Sequence, residues 1–303
     1  MNNFFRSYYN SVFLFLFFLL TAKNLNAQNY KGLTKLDSKI INAYFSEGAK
    51  GIAENMAKRC ENVIKFYKPL VGFEPEIRLL VLSPSDWPKF TSFPVYGMPH
   101  YNDSKTLIVA SEDNDFWKSF ILPVNQLPES MAKQITEVYS NPDRSLSMRA
   151  FFDLLAIHEL GHAFHKQARL FMQRKWMGEL FSNILLHTYI AEKEPEILPA
   201  LTLFPEMVVM STNKNELSYT SLKDLEDNYD KIGQEFPKNY GWYQCRWHKE
   251  AGRIYDIGGI ESFTKLWYVL KNNTIELNDE SFAELLLKSD LKTIANVQLK
   301  WEE

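Results

Sequence analysis

The stretch Phe151-Phe152-Asp153-Leu154-Leu155-Ala156-Ile157-His158-Glu159-Leu160-Gly161-His162-Ala163-Phe164-His165 decides how the chain reads. An apolar run leads straight into the pattern H-E-x-x-H. The run predicts a helix reaching about Gln167, with Asp143 or Ser145 as its cap. Residues four apart on a helix lie one above the other, with Cβ atoms about 5–6 Å apart, so His158 and His162 can offer nitrogens to a single cation. Glu159 then sits at the edge of the same face, able to hold a water molecule and take its proton. A helix this apolar on most sides is buried, and two buried imidazoles and a carboxylate need partners to offset their desolvation.

Two histidines do not complete a zinc site. The expected third ligand is Glu179, in Trp176-Met177-Gly178-Glu179-Leu180-Phe181-Ser182-Asn183, with sixteen residues between it and His162. That gap suffices for a helix end, a turn and a return past the metal. His165 competes, because it shares a face with His158. However, three ligands on one straight helix spread over about 10 Å at 1.5 Å per residue, too far for bonds of about 2.0–2.1 Å to one ion. His165 is therefore expected to support the site or the core.

With these residues the chain resembles the gluzincin metallopeptidases, thermolysin-like enzymes with two His from H-E-x-x-H and a Glu from the following helix. The nearer likeness is to the aminopeptidase-N-like family, whose ligand Glu sits in a W-x-x-E-x-F context like Trp176, Glu179 and Phe181. That family usually has eighteen intervening residues, two more than here. The resemblance implies one catalytic Zn2+ held by His158, His162 and Glu179, with Glu159 as general base. Asn183, one turn after Glu179, would orient a zinc histidine through a hydrogen bond. Tyr243, in Tyr243-Gln244-Cys245-Arg246 ahead of Gly258-Gly259 and Phe263, would donate to the tetrahedral oxyanion. His248 is the alternative donor, and Arg246 can pair with a substrate carboxylate.

The resemblance also places substrate binding at Gly97 and Met98 and along an edge strand containing Leu107, Ile108 and Val109, where a peptide would add through backbone hydrogen bonds. Gly97-Met98-Pro99-His100 departs from the family's G-x-M-E-N loop. Pro99 stands where a Glu would hold a substrate's free amino terminus, which counts against aminopeptidase action. The likeness covers roughly 97–270, with no room for the family's large N-terminal β-domain or C-terminal helical domain.

Residues 1–27 read as a secretory signal: Arg6, the apolar run Val12 to Leu20, then a polar stretch ending at Ala27. About nine to eleven apolar residues are too few for a membrane span, which needs roughly 20. An exported protein, periplasmic or extracellular, with no stable membrane insertion after cleavage, is expected. Without the leader's Arg6 and Lys23, the 34 Lys and Arg fall to 32 against 37 Asp and Glu, a net charge of −5. Mild acidity without a basic run excludes nucleic acid as a natural partner. Cys60 and Cys245 can pair in an oxidising compartment, but their apolar helical settings fit buried thiols better.

Helical periodicity runs from Gly48 to Leu70, and β-rich runs cover Ile77 to Leu82 and Thr106 to Ala110. Beyond the H-E-x-x-H segment the chain reads as helices at Lys175 to Ala191, Asp224 to Ile232, Trp242 to Ile257, Ile260 to Leu270 and Ser281 to Lys288. The class is α+β: one domain over 28–303, with a small sheet-containing lobe (about 28–168) and a helical lobe (169–303) flanking the active-site helix. The expected activity is zinc-dependent hydrolysis of exported or extracellular peptides or proteins. The alternatives are an aminopeptidase with a non-standard amine-binding acid, or a non-catalytic zinc-stabilised module that binds peptide or glycan.

Overall fold

A computed structural model describes residues 30–302 apart from 39, 122, 123 and 127, so the expected secretory signal over 1–27 lies outside the described residues. The chain is α+β, mostly helical, with one five-stranded sheet. Its strands are β1 (Thr34–Leu36), β2 (Asn42–Phe45), β3 (Arg78–Leu82), β4 (His100–Tyr101) and β5 (Thr106–Ala110), in the order β1-β2-β3-β5-β4. β2, β3 and β5 run parallel, and β1 and β4 close the two ends antiparallel. Leu79 to Leu82 and all of β5 are buried on both faces, as a central strand covered by helices must be.

A parallel pair needs a crossover, and α1 (Lys50–Val71) supplies it between β2 and β3. Its buried positions Ala53, Met56, Ala57, Cys60, Val63, Ile64, Tyr67 and Val71 form one stripe at helical spacing. It ends at Gly72, whose φ of 66° gives the left-handed cap that glycine supplies without strain. Short helices α2 (Trp87–Phe90) and α3 (Asp115–Lys118), then α4 (Glu129–Tyr139) and α5 (Arg149–Phe152), lead to α6 (Leu155–Gln167), which carries the H-E-x-x-H residues.

The helix around that motif is shorter than its sequence suggests. Neither Asp143 nor Ser145 caps it. Asp143 instead accepts hydrogen bonds from the backbone N–H and hydroxyl of Ser145 within a turn. The chain breaks between α5 and α6, and no side chain caps α6.

After α6 come α7 (Lys175–Lys193), α8 (Leu198–Ser211), α9 (Leu222–Glu235), α10 (Pro237–Asn272), α11 (Asp279–Lys288) and α12 (Lys292–Leu299). α7 is the axis of this half: every residue from Trp176 to Ile190 is buried, because α6, α8, α9 and α10 all pack around it. Tyr67 of α1 donates its hydroxyl to the Leu185 carbonyl of α7, and Arg59 pairs with Glu194 just past its end. The two helices expected on either side of Gly258-Gly259 follow each other directly as the two arms of α10, and the chain leaves helical geometry between them at Gly259 (φ 55°, ψ −157°), where the sequence predicts the break. Cys60 and Cys245 are both free and buried. Among the described residues no helix is long and apolar enough to cross a membrane.

Candidate metal centre

The site forms where α6 and α7 touch. At the contact stands Gly161, the second x of H-E-x-x-H, against Ser182 of α7; a Cβ on Gly161 would lie 2.8 Å from the Ser182 Cα. Only glycine lets the backbones approach this closely. The approach carries Glu179 and Asn183, on either side of Ser182, onto the two histidines.

His158 Nε2 and His162 Nε2 are 3.1 Å apart, and Oε2 of Glu179 is 3.3 Å from the first and 3.6 Å from the second. A four-coordinate zinc with bonds of about 2.0–2.1 Å sets its donors about 3.3–3.4 Å apart. The three atoms therefore match one face of such a coordination shell. The Glu159 carboxylate lies beside them, within 4.8 Å of the imidazole donors. His158, Glu179 and Asn183 are buried, and Glu159 and His162 are partly exposed, so the water-accessible side of the cluster is the side of the prospective base.

The far nitrogens of both rings are engaged. His158 Nδ1 faces Asn183 Oδ1 at 3.0 Å, and His162 Nδ1 faces His165 Nε2 at 3.0 Å. An amide oxygen only accepts. Burial, reinforced by His162, holds His165 neutral with its pKa well below the usual histidine value, so it too can accept. With the proton on both Nδ1 atoms, both Nε2 atoms point lone pairs at the same spot, an arrangement that a cation between them would suit.

Burial alone would raise the Glu179 carboxyl, yet the imidazoles of His162 and His158 overcome it and hold the group well below the usual carboxylate range. The reciprocal effect raises His158 against its own burial. Glu159 moves upward because burial outweighs the two histidines.

Three residues of this cluster carry no motif. Tyr229 of α9 donates its hydroxyl to Glu179 Oε1 at 2.6 Å, and Gln244 of α10 donates to Glu179 Oε2 at 2.8 Å and to the Tyr240 hydroxyl at 2.9 Å. Tyr240 and Tyr229 also share a hydrogen bond. Their contact with Glu179 depends on how α9 and α10 lie against α7, which no local pattern records.

Other expected site residues are placed elsewhere. Tyr243 donates its hydroxyl to the Ser221 carbonyl at 2.7 Å and packs in a cluster with Trp247 and Trp301, so it does not join the metal-centre residues. One residue of helix is about 100° of rotation, and that turn gives Gln244 the site and Tyr243 the aromatic core. Arg246 lies over the Trp301 ring at 3.8 Å and donates to the Trp301 carbonyl. His248 is close, its ring 6.3 Å from that of His158, and burial keeps its pKa well below the usual histidine value.

The strand containing Leu107, Ile108 and Val109 is not an edge. β4 covers it, pairing His100 with Ile108 and Tyr101 with Leu107, and β3 covers the other side. The edge is β4 itself, where Tyr101 has a buried hydroxyl without a hydrogen-bond partner among the described residues. Gly97 (φ 106°) and Met98 precede it; the Gly97 carbonyl is taken by Trp117 Nε1 at 2.7 Å. Comparison of the sequence with protein-family models and with curated proteins gives no match, so the chemistry of the site stands by itself as the guide to function.

Proposed function

We propose that the chain is a zinc-dependent peptidase of the gluzincin, thermolysin-like type, exported to the periplasm or beyond the cell and acting on peptides or proteins. The observation that carries this reading is the convergence of His158 Nε2, His162 Nε2 and Glu179 Oε2 at tetrahedral spacing, with a second carboxylate, Glu159, alongside. A structural zinc is normally closed by four protein ligands and has no use for a free acid beside it. A bound zinc supplies Lewis acidity, polarising the scissile carbonyl and bringing the pKa of water toward about 7.

Glu159 accepts the proton of the attacking water and returns it to the leaving amine nitrogen. Asn183 and His165 keep the imidazoles turned so that their Nε2 atoms face the cation. The Tyr243 hydroxyl is committed to Ser221, so His248, beside His158, would stabilise the developing oxyanion. A peptide substrate would add along β4, the edge strand beside β5, because β5 is already paired on both sides.

The test compares wild type with Glu159→Gln for zinc content and for cleavage of a generic peptide library. Both proteins should hold one zinc per chain, and only the wild type should cleave, losing activity to a chelator and regaining it with added zinc. Full cleavage by Glu159→Gln would overturn the mechanism.

A further inference from the structure

α9 is tied to α7 at two points one turn apart. Near the start of α7, the Glu226 carboxylate accepts the Lys175 backbone N–H at 2.9 Å, while Lys175 Nζ donates to the Glu226 carbonyl at 2.8 Å. One turn along both helices, Tyr229 meets Glu179. Between Glu226 and Tyr229 the helix is kinked at Asn228 (φ −125°, ψ 24°), whose side chain bonds back to the Asp224 carbonyl. The start of α9 is fixed independently by a capping box between Ser221 and Asp224, and by Tyr243 and Trp301, which donate to the carbonyls of Ser221 and Thr220.

We infer that α9 braces the third metal ligand, with Tyr229 as its positioning residue: the tyrosine holds Oε1 of Glu179 so that Oε2 alone is offered to the cation, and Gln244 fixes the carboxylate plane from the other side. The inference rests on the metal-site reading. A carboxylate free to rotate offers either or both oxygens, and the second would crowd the position that water must occupy. Held at both ends, the group enters the site as a one-oxygen ligand without losing rotamer freedom on binding.

The test measures zinc affinity, by competition with a chromophoric chelator, and the visible spectrum of the cobalt(II)-substituted full chain for wild type and Tyr229→Phe. The variant keeps the ring and its packing. It should lose about 10–100-fold in zinc affinity, the usual cost of removing a hydrogen bond behind a ligand, and its cobalt bands should weaken as the freed oxygen raises the coordination number. A purely structural role would shift the melting temperature of the metal-free protein and leave the bands unchanged.

Unaltered affinity and spectrum in Tyr229→Phe would overturn the brace while leaving the metal site standing. A wild type that binds neither metal would overturn the metal site itself and the brace with it. Should Tyr229→Phe fail to fold, Gln244→Met removes the opposing hydrogen bond at a partly exposed position and should weaken zinc in the same direction. Unchanged affinity there would also overturn the brace.

Discussion

Gly161 and Ser182 meet with no room for a methyl group between them: a Cβ at position 161 would stand 2.8 Å from one backbone carbon and 2.9 Å from the Ser182 Cβ. The nearest atom belongs to a helix backbone, so no rotamer change relieves the contact. Gly161→Ala should push α6 and α7 apart, cost about 1–3 kcal/mol as an overpacked core does, and open the donor triangle. Thermal denaturation and zinc competition check both effects. A variant with wild-type stability and zinc affinity would show that the helices do not meet this closely.

Asn183→Ala removes the acceptor behind His158 and leaves Nδ1 of a buried ring without a partner. Zinc affinity should fall about 10–100-fold. Asn183→Asp, which restores a stronger acceptor, should recover most of it. Equal affinity across the three proteins would detach Asn183 from the site.

Gly259 bends α10 in a conformation essentially confined to glycine, and nothing lies within 4 Å of where a Cβ would stand. The cost of Gly259→Ala is therefore one of backbone strain alone, about 1–3 kcal/mol. Urea denaturation should show a lower midpoint with an unchanged slope. A neutral substitution would mean the bend is not held.

His100 predicts acid sensitivity away from the metal. Its Nδ1–H donates to the Met98 carbonyl at 3.0 Å, its Nε2 accepts from the Thr91 hydroxyl at 2.8 Å, and its ring stacks on Phe93. Every position is filled for the neutral ring, and burial pushes the pKa down to about 4. In the unfolded chain the ring titrates near 6.5, so between these values the unfolded state binds more protons. The contribution of His100 is fully present above about pH 6.5 and is lost as pH falls through 4, by about 3 kcal/mol in all. The stability difference between wild type and His100→Gln, followed from pH 7 to pH 4, should shrink as the pH falls. A constant difference would refute the prediction.

The parts of the site legible in the sequence are those fixed by local spacing. His158, Glu159 and His162 lie on one helix face wherever that helix sits, and Glu179 and Asn183 follow because a short connection returns the next helix antiparallel to it. Tyr243 shows where such reading stops. The aromatic residues of α10 between Tyr240 and Trp247 fall on more than one face, so the sequence carries no sign of which stripe faces α7, and Tyr240 with Gln244 and Tyr243 with Trp247 are equally regular pairs four residues apart. Packing against Trp301 makes the choice.

Strand order was hidden for a similar reason. The two paired residues of β4 are too short a run to show a period, and yet they turn β5 from an edge into an interior strand. α8 escaped because Pro205 interrupts a segment whose apolar residues fall on both faces.

The indole of Trp301 donates to the Thr220 carbonyl at the root of α9 and lies flat against Arg246 and Tyr243. One indole thus joins the root of α9 to α10, so a change at Trp301 would be felt at the far end of α9, where Tyr229 meets Glu179.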